Sequence, residues 1–157
     1  MQLIEQGEMD MKFKLGKKGF TLVEVMIVVA IIGLLAAIAI PNLLRARVNA
    51  NDGSVKGDLR AFSTAAESYR AAQSPAAYPT NVGALTGASP PYLDSSWADT
   101  TTKHGHTLAY STSSVGYTVT AASQSGSAAS DFCIDHTGVL RTASTVASNT
   151  CSGAAVA

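Results

Sequence analysis

The chain is short of charge. Of its 157 residues only 14% are Asp, Glu, Lys or Arg, 11 of each sign, so the formal net charge is zero. An ordinary soluble domain carries roughly 25%. No basic block follows Arg47, which removes the electrostatic footprint of a nucleic-acid binder, and no such partner is expected. Cysteine is nearly absent. Two residues, Cys133 and Cys151, are too few for a disulfide scaffold or a structural zinc site. Aromatics make up 6%, too sparse to argue for electron conduction. No collagen period, heptad array or solenoid repeat is present. The chain also lacks a phosphate loop, a dinucleotide fingerprint and a Gly-Xaa-Ser-Xaa-Gly elbow. Its Ser, His and Asp residues show no triad spacing, so no catalytic residue, no cofactor and no enzymatic activity are expected.

What is present is concentrated apolarity. Residues 20–40 contain three positions that are not plainly apolar: Thr21, Glu24 and Gly33. As a helix these 21 residues span ~31 Å, against a bilayer core of ~30 Å. Lys12, Lys14, Lys17 and Lys18 precede the run, and the first cations after it are Arg45 and Arg47. The positive-inside tendency then puts residues 1–19 in the cytoplasm and the C-terminal body outside, where a disulfide persists. Beyond the run about 115 residues remain, enough for one small domain. From residue 73 onward the composition turns to Ser and Thr, 27 of 85 residues, with six charges. Three readings of the apolar run compete. One is a secretory signal cut at Ala37-Ile38-Ala39, one a plain membrane anchor. The third rests on the residues around Gly19.

Those residues read Lys17-Lys18-Gly19-Phe20-Thr21-Leu22-Val23-Glu24-Val25-Met26-Ile27-Val28-Val29, continuing apolar to Ile40-Pro41. The segment resembles the N-terminus of type IV pilins and pseudopilins. The resemblance implies that a membrane prepilin peptidase removes a leader, residues 1–19, by cutting between Gly19 and Phe20, and methylates the new amino group of Phe20. A start at Met11 gives a leader of nine residues. The resemblance further implies a bacterial inner-membrane precursor, then an extracellular pilus or a periplasmic pseudopilus. Its partners are other copies of itself, the peptidase, an inner-membrane assembly platform and, before assembly, the lipid bilayer.

Glu24 is the anomaly in this run. A carboxylate at membrane depth is costly and marks a functional site that needs a named partner. Cleavage after Gly19 creates one, the ammonium of Phe20, whose charge survives methylation. At spacing i, i+4 the pair can close within one subunit. The resemblance favours a neighbouring subunit, so that Glu24, beside Thr21, sets the axial register of packed helices. The alternative is a carboxylate snorkelling to the interface. Pro41 removes a backbone donor and disfavours helix at Ile40, a local kink or boundary. The resemblance implies that Gly33 and Pro41 bound a stretch whose helix loosens in the fibre.

The rest reads as α+β, a pilin-like long helix on a small antiparallel sheet. Over residues 42–72, Val48, Val55, Leu59, Phe62, Ala66 and Tyr69 recur on one helical face. Asn49, Asp52, Lys56, Arg60, Ser63, Glu67 and Arg70 fall on the other, with Gly53 and Gly57 as weak points. Residues 73–102 hold four of the five prolines and read as an irregular connecting loop. Tyr78, Leu85, Tyr92, Leu93 and Trp97 are available to pin it to the head, residues 73–157. The resemblance makes this loop a variable surface for partner specificity; a bland connector is the alternative. Alternation over residues 106–110, 116–121, 131–135 and 139–142 predicts about four strands within 103–142, with hairpin turns at 111–114 and 135–138.

Cys133 and Cys151 enclose 17 residues. A bridge there stabilises by ~3 kcal/mol in the chain-entropy model, and the export argument favours it over two free thiols. A paired C-terminal loop at 133–151 also resembles type IV pilins. His104-Gly105-His106 is the one metal-like cluster, since alternate strand positions share a face, but it lacks a third ligand. Major pseudopilins often bind calcium near the counterparts of Asp131 and Asp135. The spacing here is not a calcium-loop signature, so no metal is expected.

Overall fold

A computed structural model of the chain describes residues 19–114, 116–124, 130–142, 145–147 and 150–156. The leader through residue 18 and parts of the 133–151 loop lie outside them. The chain divides after Pro41 into two compact units. Helix α1 covers Leu22–Ala72 and has Pro41 within it. The boundary expected at Pro41 is therefore not where the helix ends. Proline costs the ladder one donor, whereas stopping would orphan several backbone groups in an apolar run that offers them no water.

In the first unit the large apolar side chains of α1 are exposed among the described residues. Phe20, Leu22, Leu34 and Ile38 are 87%, 72%, 66% and 63% exposed, respectively. This is the one helix among the described residues long and apolar enough to cross a membrane.

In the second unit the predicted amphipathic face of α1 is the buried one. Val55, Leu59, Phe62 and Ala66 are fully buried, and Tyr69 packs at the margin. Gly53 and Gly57 do not interrupt the helix. No side chain or distant backbone lies within 4 Å of where a Cβ would stand at either, so alanine fits without a clash. Gly53→Ala and Gly57→Ala are each expected to stabilise this unit by about 1 kcal/mol through helix propensity alone, read as a raised melting temperature. Ser63, assigned to the polar face, is instead buried. It accepts a hydrogen bond from the Tyr117 hydroxyl at 3.0 Å. That hydroxyl is deep enough that burial pushes its pKa up to about 12, with the Ser63 bond acting the other way. Two hydroxyls thus satisfy each other between helix and sheet, which helical periodicity alone does not foresee.

The helix packs on a five-stranded antiparallel sheet in the order β1-β2-β3-β4-β5. Its strands are β1 (Thr100–Lys103), β2 (His106–Thr112), β3 (Tyr117–Ser123), β4 (Phe132–Asp135) and β5 (Leu140–Thr142). The last four are the predicted strands to within a few residues. β1 corrects the count from about four to five, and it begins inside the segment read as a loop. Its sequence, Thr-Thr-Thr-Lys, carries no apolar alternation. It forms because β-branched Thr suits extended backbone and the ladder to β2 satisfies one edge, from Thr100 opposite Ala109 to Lys103 opposite His106. The 73–102 segment also contains a four-residue helix, α2 (Gly83–Thr86). The segment is pinned as expected: Leu85 and Trp97 are buried, while Tyr78, Tyr92 and Leu93 pack against the core. Val82, fully buried, and the Tyr110 hydroxyl on the Pro79 carbonyl add anchors that the sequence did not mark.

Both faces of β3 and β4 are covered. Phe132 and Ile134 join the core shared with α1. The alternate residues, Cys133 and Asp135, are buried too, because a second, two-stranded sheet of β6 (Thr145–Ala147) and β7 (Thr150–Ser152) follows in the chain and β7 lies against β3, β4 and β5. Cys133 is bonded to Cys151 of β7. The Asp135 carboxylate accepts from the Cys151 N–H at 3.1 Å and from the Thr137 N–H at 2.9 Å. The chain end then lines the outer edge of β5. The Thr142 N–H donates to the Ala154 carbonyl and the Val156 N–H to the Leu140 carbonyl.

Asp135 makes this face of the sheet sensitive to acid. Burial alone raises its pKa, but the hydrogen bonds from Thr137 and from the Cys151 N–H, with His136 nearby, outweigh burial and hold it below the ordinary value. A depressed carboxylate contributes stability above its unfolded pKa and loses it as pH falls through the folded one. Asp135→Asn is therefore expected to lower the melting temperature most at neutral pH. The gap to the native chain narrows on acidification below about pH 4. A gap that stays constant between pH 7 and pH 3 rules this out.

Candidate functional site

The N-terminal segment gathers the residues singled out in the sequence. Gly19 and Phe20 are exposed and lie outside regular structure, directly before α1. The peptide bond between them is thus in backbone with no helical hydrogen bonds to break. Thr21 is the residue before the first helical turn. Its hydroxyl accepts from the Glu24 N–H at 3.2 Å, while the Thr21 N–H and hydroxyl donate to one Glu24 carboxylate oxygen at 2.8 and 2.7 Å. This is a capping box, Thr-Xaa-Xaa-Glu, in which residues at the N-cap and N3 satisfy donors that the helix start leaves orphaned. The signal Thr21-Leu22-Val23-Glu24 stood in the sequence. It gives Glu24 a local role in starting the helix, beside the roles of partner for an amine and snorkelling side chain.

Gly33 and Pro41 are both in α1. A Cβ at Gly33 meets nothing within 4 Å, so its smallness is not required by packing within the chain.

The two histidines do not converge. His104 sits in the β1–β2 turn at φ 50°, with Nε2 3.5 Å from Asp58 of α1. His106 is buried, with Nδ1 3.2 Å from the His104 carbonyl and Nε2 3.1 Å from the Ser130 carbonyl. Its Nε2 is also 3.5 Å from Asp52. Each imidazole lies beside a different aspartate of α1, but neither contact closes a hydrogen bond, and both His106 ring nitrogens face backbone carbonyls. Among the described residues no group of three His, Cys, Asp or Glu side chains is placed to hold a metal. Asp131, at the same end of the sheet, is occupied: its carboxylate accepts from the Ser123 N–H at 2.7 Å.

Comparison with known proteins concentrates on the same segment. Residues 14–40 match the prokaryotic N-terminal methylation motif. The type IV major pilin protein PilA of Myxococcus xanthus is 48% identical over 58 residues, covering 37% of this chain and 26% of that protein. The type IV wide pilus major component PilA4 of Thermus thermophilus is 69% identical over 35 residues, 22% of this chain and 27% of its own. The type II secretion system core protein G of Pseudomonas aeruginosa is 39% identical over 54 residues, 34% and 38% of the two chains. The chain thus spans between a quarter and two fifths of the length of these three relatives. No solved structure matches. The chain carries the prepilin-type methylation motif, and its N-terminal part is homologous to type IV pilins and to type II secretion core protein G.

Proposed function

We propose that the chain is the structural subunit of a type IV pilus-like filament. It is inserted in the inner membrane as a precursor, cut after Gly19, methylated at Phe20 and polymerised through α1. The observation that carries this reading is the exposed, non-helical Gly19–Phe20 bond at the head of a capped helix whose large apolar side chains stand exposed. A surface of that extent needs lipid first and other copies later. In this scheme Glu24 leaves part of its capping role to pair with the Phe20 ammonium of a neighbouring subunit. Gly33 and Pro41 bound the stretch that loosens as the helices pack. The peptidase and the inner-membrane assembly platform are the partners that act on it, and the subunit itself performs no catalysis.

Mass spectrometry of the mature chain tests the processing. A first residue of N-methylated Phe20 is expected. A mature chain beginning at Ile40 overturns the proposal in favour of simple secretion. The homology to core protein G supports a second reading, a pseudopilin of a type II secretion system, whose fibre stays within the envelope. The Cys133–Cys151 bridge and the sparsely charged, Ser/Thr-rich head favour the pilus. Long surface fibres containing this chain are expected, and their absence from cells that secrete normally favours the pseudopilus.

A further inference from the structure

A cleft of about 580 Å³ opens on the second unit, at the end of the sheet near the C-terminal turn of α1. Volumes of this order suit a small organic ligand. Arg70, Tyr78, Thr80, Thr112, Ser113 and His136 contribute to its wall, and no carboxylate does. These residues come from four places: the last turn of α1, the start of the 73–102 segment, the β2–β3 turn and the β4–β5 turn. The cleft thus exists only in the folded head.

Its two basic groups are held in place. The Arg70 guanidinium lies 5.1 Å from the Tyr78 ring centroid, and its Nη1 is 3.3 Å from Glu67 Oε2. The Tyr78 hydroxyl donates to the other Glu67 oxygen at 2.7 Å, which ties ring and guanidinium to one carboxylate. A guanidinium has five donors in a fixed fork, more than a single carboxylate oxygen can use. The His136 ring stacks edge-on to Tyr78, centroids 6.4 Å apart, and its Nδ1 is buried without a hydrogen-bond partner. Gly116 makes room for it, because a Cβ there stands 2.4 Å from that nitrogen. Around these groups the wall mixes the Ala76 and Ala77 methyls with hydroxyls, and hydroxyls both donate and accept.

We propose that this cleft binds a small hydroxylated oxyanion, a sugar or polyol bearing one carboxylate or phosphate, with the anionic group toward Arg70 and His136 and its hydroxyls toward Thr80 and Thr112. A cation and an imidazole select the charge, and the hydroxyl wall selects a ligand that carries its own hydroxyls over a bare ion.

The test is a titration of the ¹⁵N-labelled full chain in detergent with glucuronate, glucose 6-phosphate, glucose and inorganic phosphate. The two sugar acids are expected to shift the Thr80 and Thr112 amides saturably, with Kd near about 1 mM, and glucose and phosphate to bind at least about tenfold more weakly. Arg70→Gln is expected to weaken the sugar acids about tenfold. Thr80→Val, which keeps the charge, is expected to weaken them while leaving phosphate unchanged, so the proposal stays testable if Arg70→Gln lowers the melting temperature. No saturable shift with either acid overturns the proposal. So does glucose or phosphate binding as tightly as the acids, or Thr80→Val and a well-folded Arg70→Gln both binding like the native chain.

Discussion

Glu24→Gln is expected to abolish filaments while leaving the precursor inserted, processed and helical from residue 22. The capping box makes this variant informative. A glutamine at N3 still reaches back to the N-cap N–H and hydroxyl as an acceptor, so the interactions of Glu24 with Thr21 at 2.8 and 2.7 Å are conserved in kind. What it loses is charge, and with it the proposed attraction to a neighbouring subunit's Phe20 ammonium. In a low-dielectric bundle that attraction far exceeds its value in water. Glu24→Ala loses both and is expected to fail as well. The measurement is sheared fibre per cell by immunoblot, set against subunit in the membrane fraction. If Glu24→Gln builds fibres at the native level while Glu24→Ala does not, the carboxylate is there to start the helix, and the intersubunit pair is discarded.

The second large effect is on stability. Phe62→Ala is expected to cost about 3–5 kcal/mol. The Phe62 side chain is fully buried, and its ring centroid lies 5.4 Å from those of Trp97 and Tyr110 and 5.9 Å from that of Tyr117. It therefore joins α1 to the 73–102 segment, β2 and β3 at one point. Its removal opens a cavity at that junction and forfeits ring contacts worth about 1 kcal/mol each. For a unit of this size the melting temperature falls by at least about 10 °C, followed in the near-ultraviolet signal of Trp97 and the tyrosines. Leu34→Ala, also on α1 but 66% exposed, is the control and leaves that transition in place. A Phe62→Ala shift no larger than that of Leu34→Ala removes Phe62 from the centre of the core.

The contrast between Phe62 and Leu34 also explains what could be read in advance. Helical spacing gave the buried face of α1 because burial there follows one period, and alternation gave β2 to β5 because one sheet face is apolar. β1 escaped because its strand state comes from backbone pairing and β-branching, with no apolar residue to mark it. β6 and β7 escaped for a related reason: they arise from a Ser, Thr and Ala-rich stretch, and β7 lies against the far side of β3 and β4. There Cys133 and Asp135, alternate to the core residues, are buried under β7 and tied to it by the disulfide and by the Cys151 N–H. At the N-terminus the identity of the segment was legible because Gly19-Phe20 and Glu24 sit in an otherwise uniform run. The cap that Glu24 makes is equally legible as Thr-Xaa-Xaa-Glu, a pattern that depends on acceptor geometry and is independent of the charge that makes Glu24 costly in lipid. The cleft beside Arg70 was not legible, since it assembles four segments that are distant in sequence.

The tail over β5 has a consequence for crowding. An unpaired strand margin is a template for pairing with another molecule. Residues 154–156 close that margin on one side, leaving β1 as the other, where Lys103 sits over the Trp97 ring at 4.2 Å with its ammonium 2.9 Å from the Ser96 hydroxyl. In the proposed filament, subunits packed shoulder to shoulder at very high local concentration would therefore meet short, polar or occupied borders. They can touch along a fibre without knitting into a cross-linked ribbon that could never be taken apart.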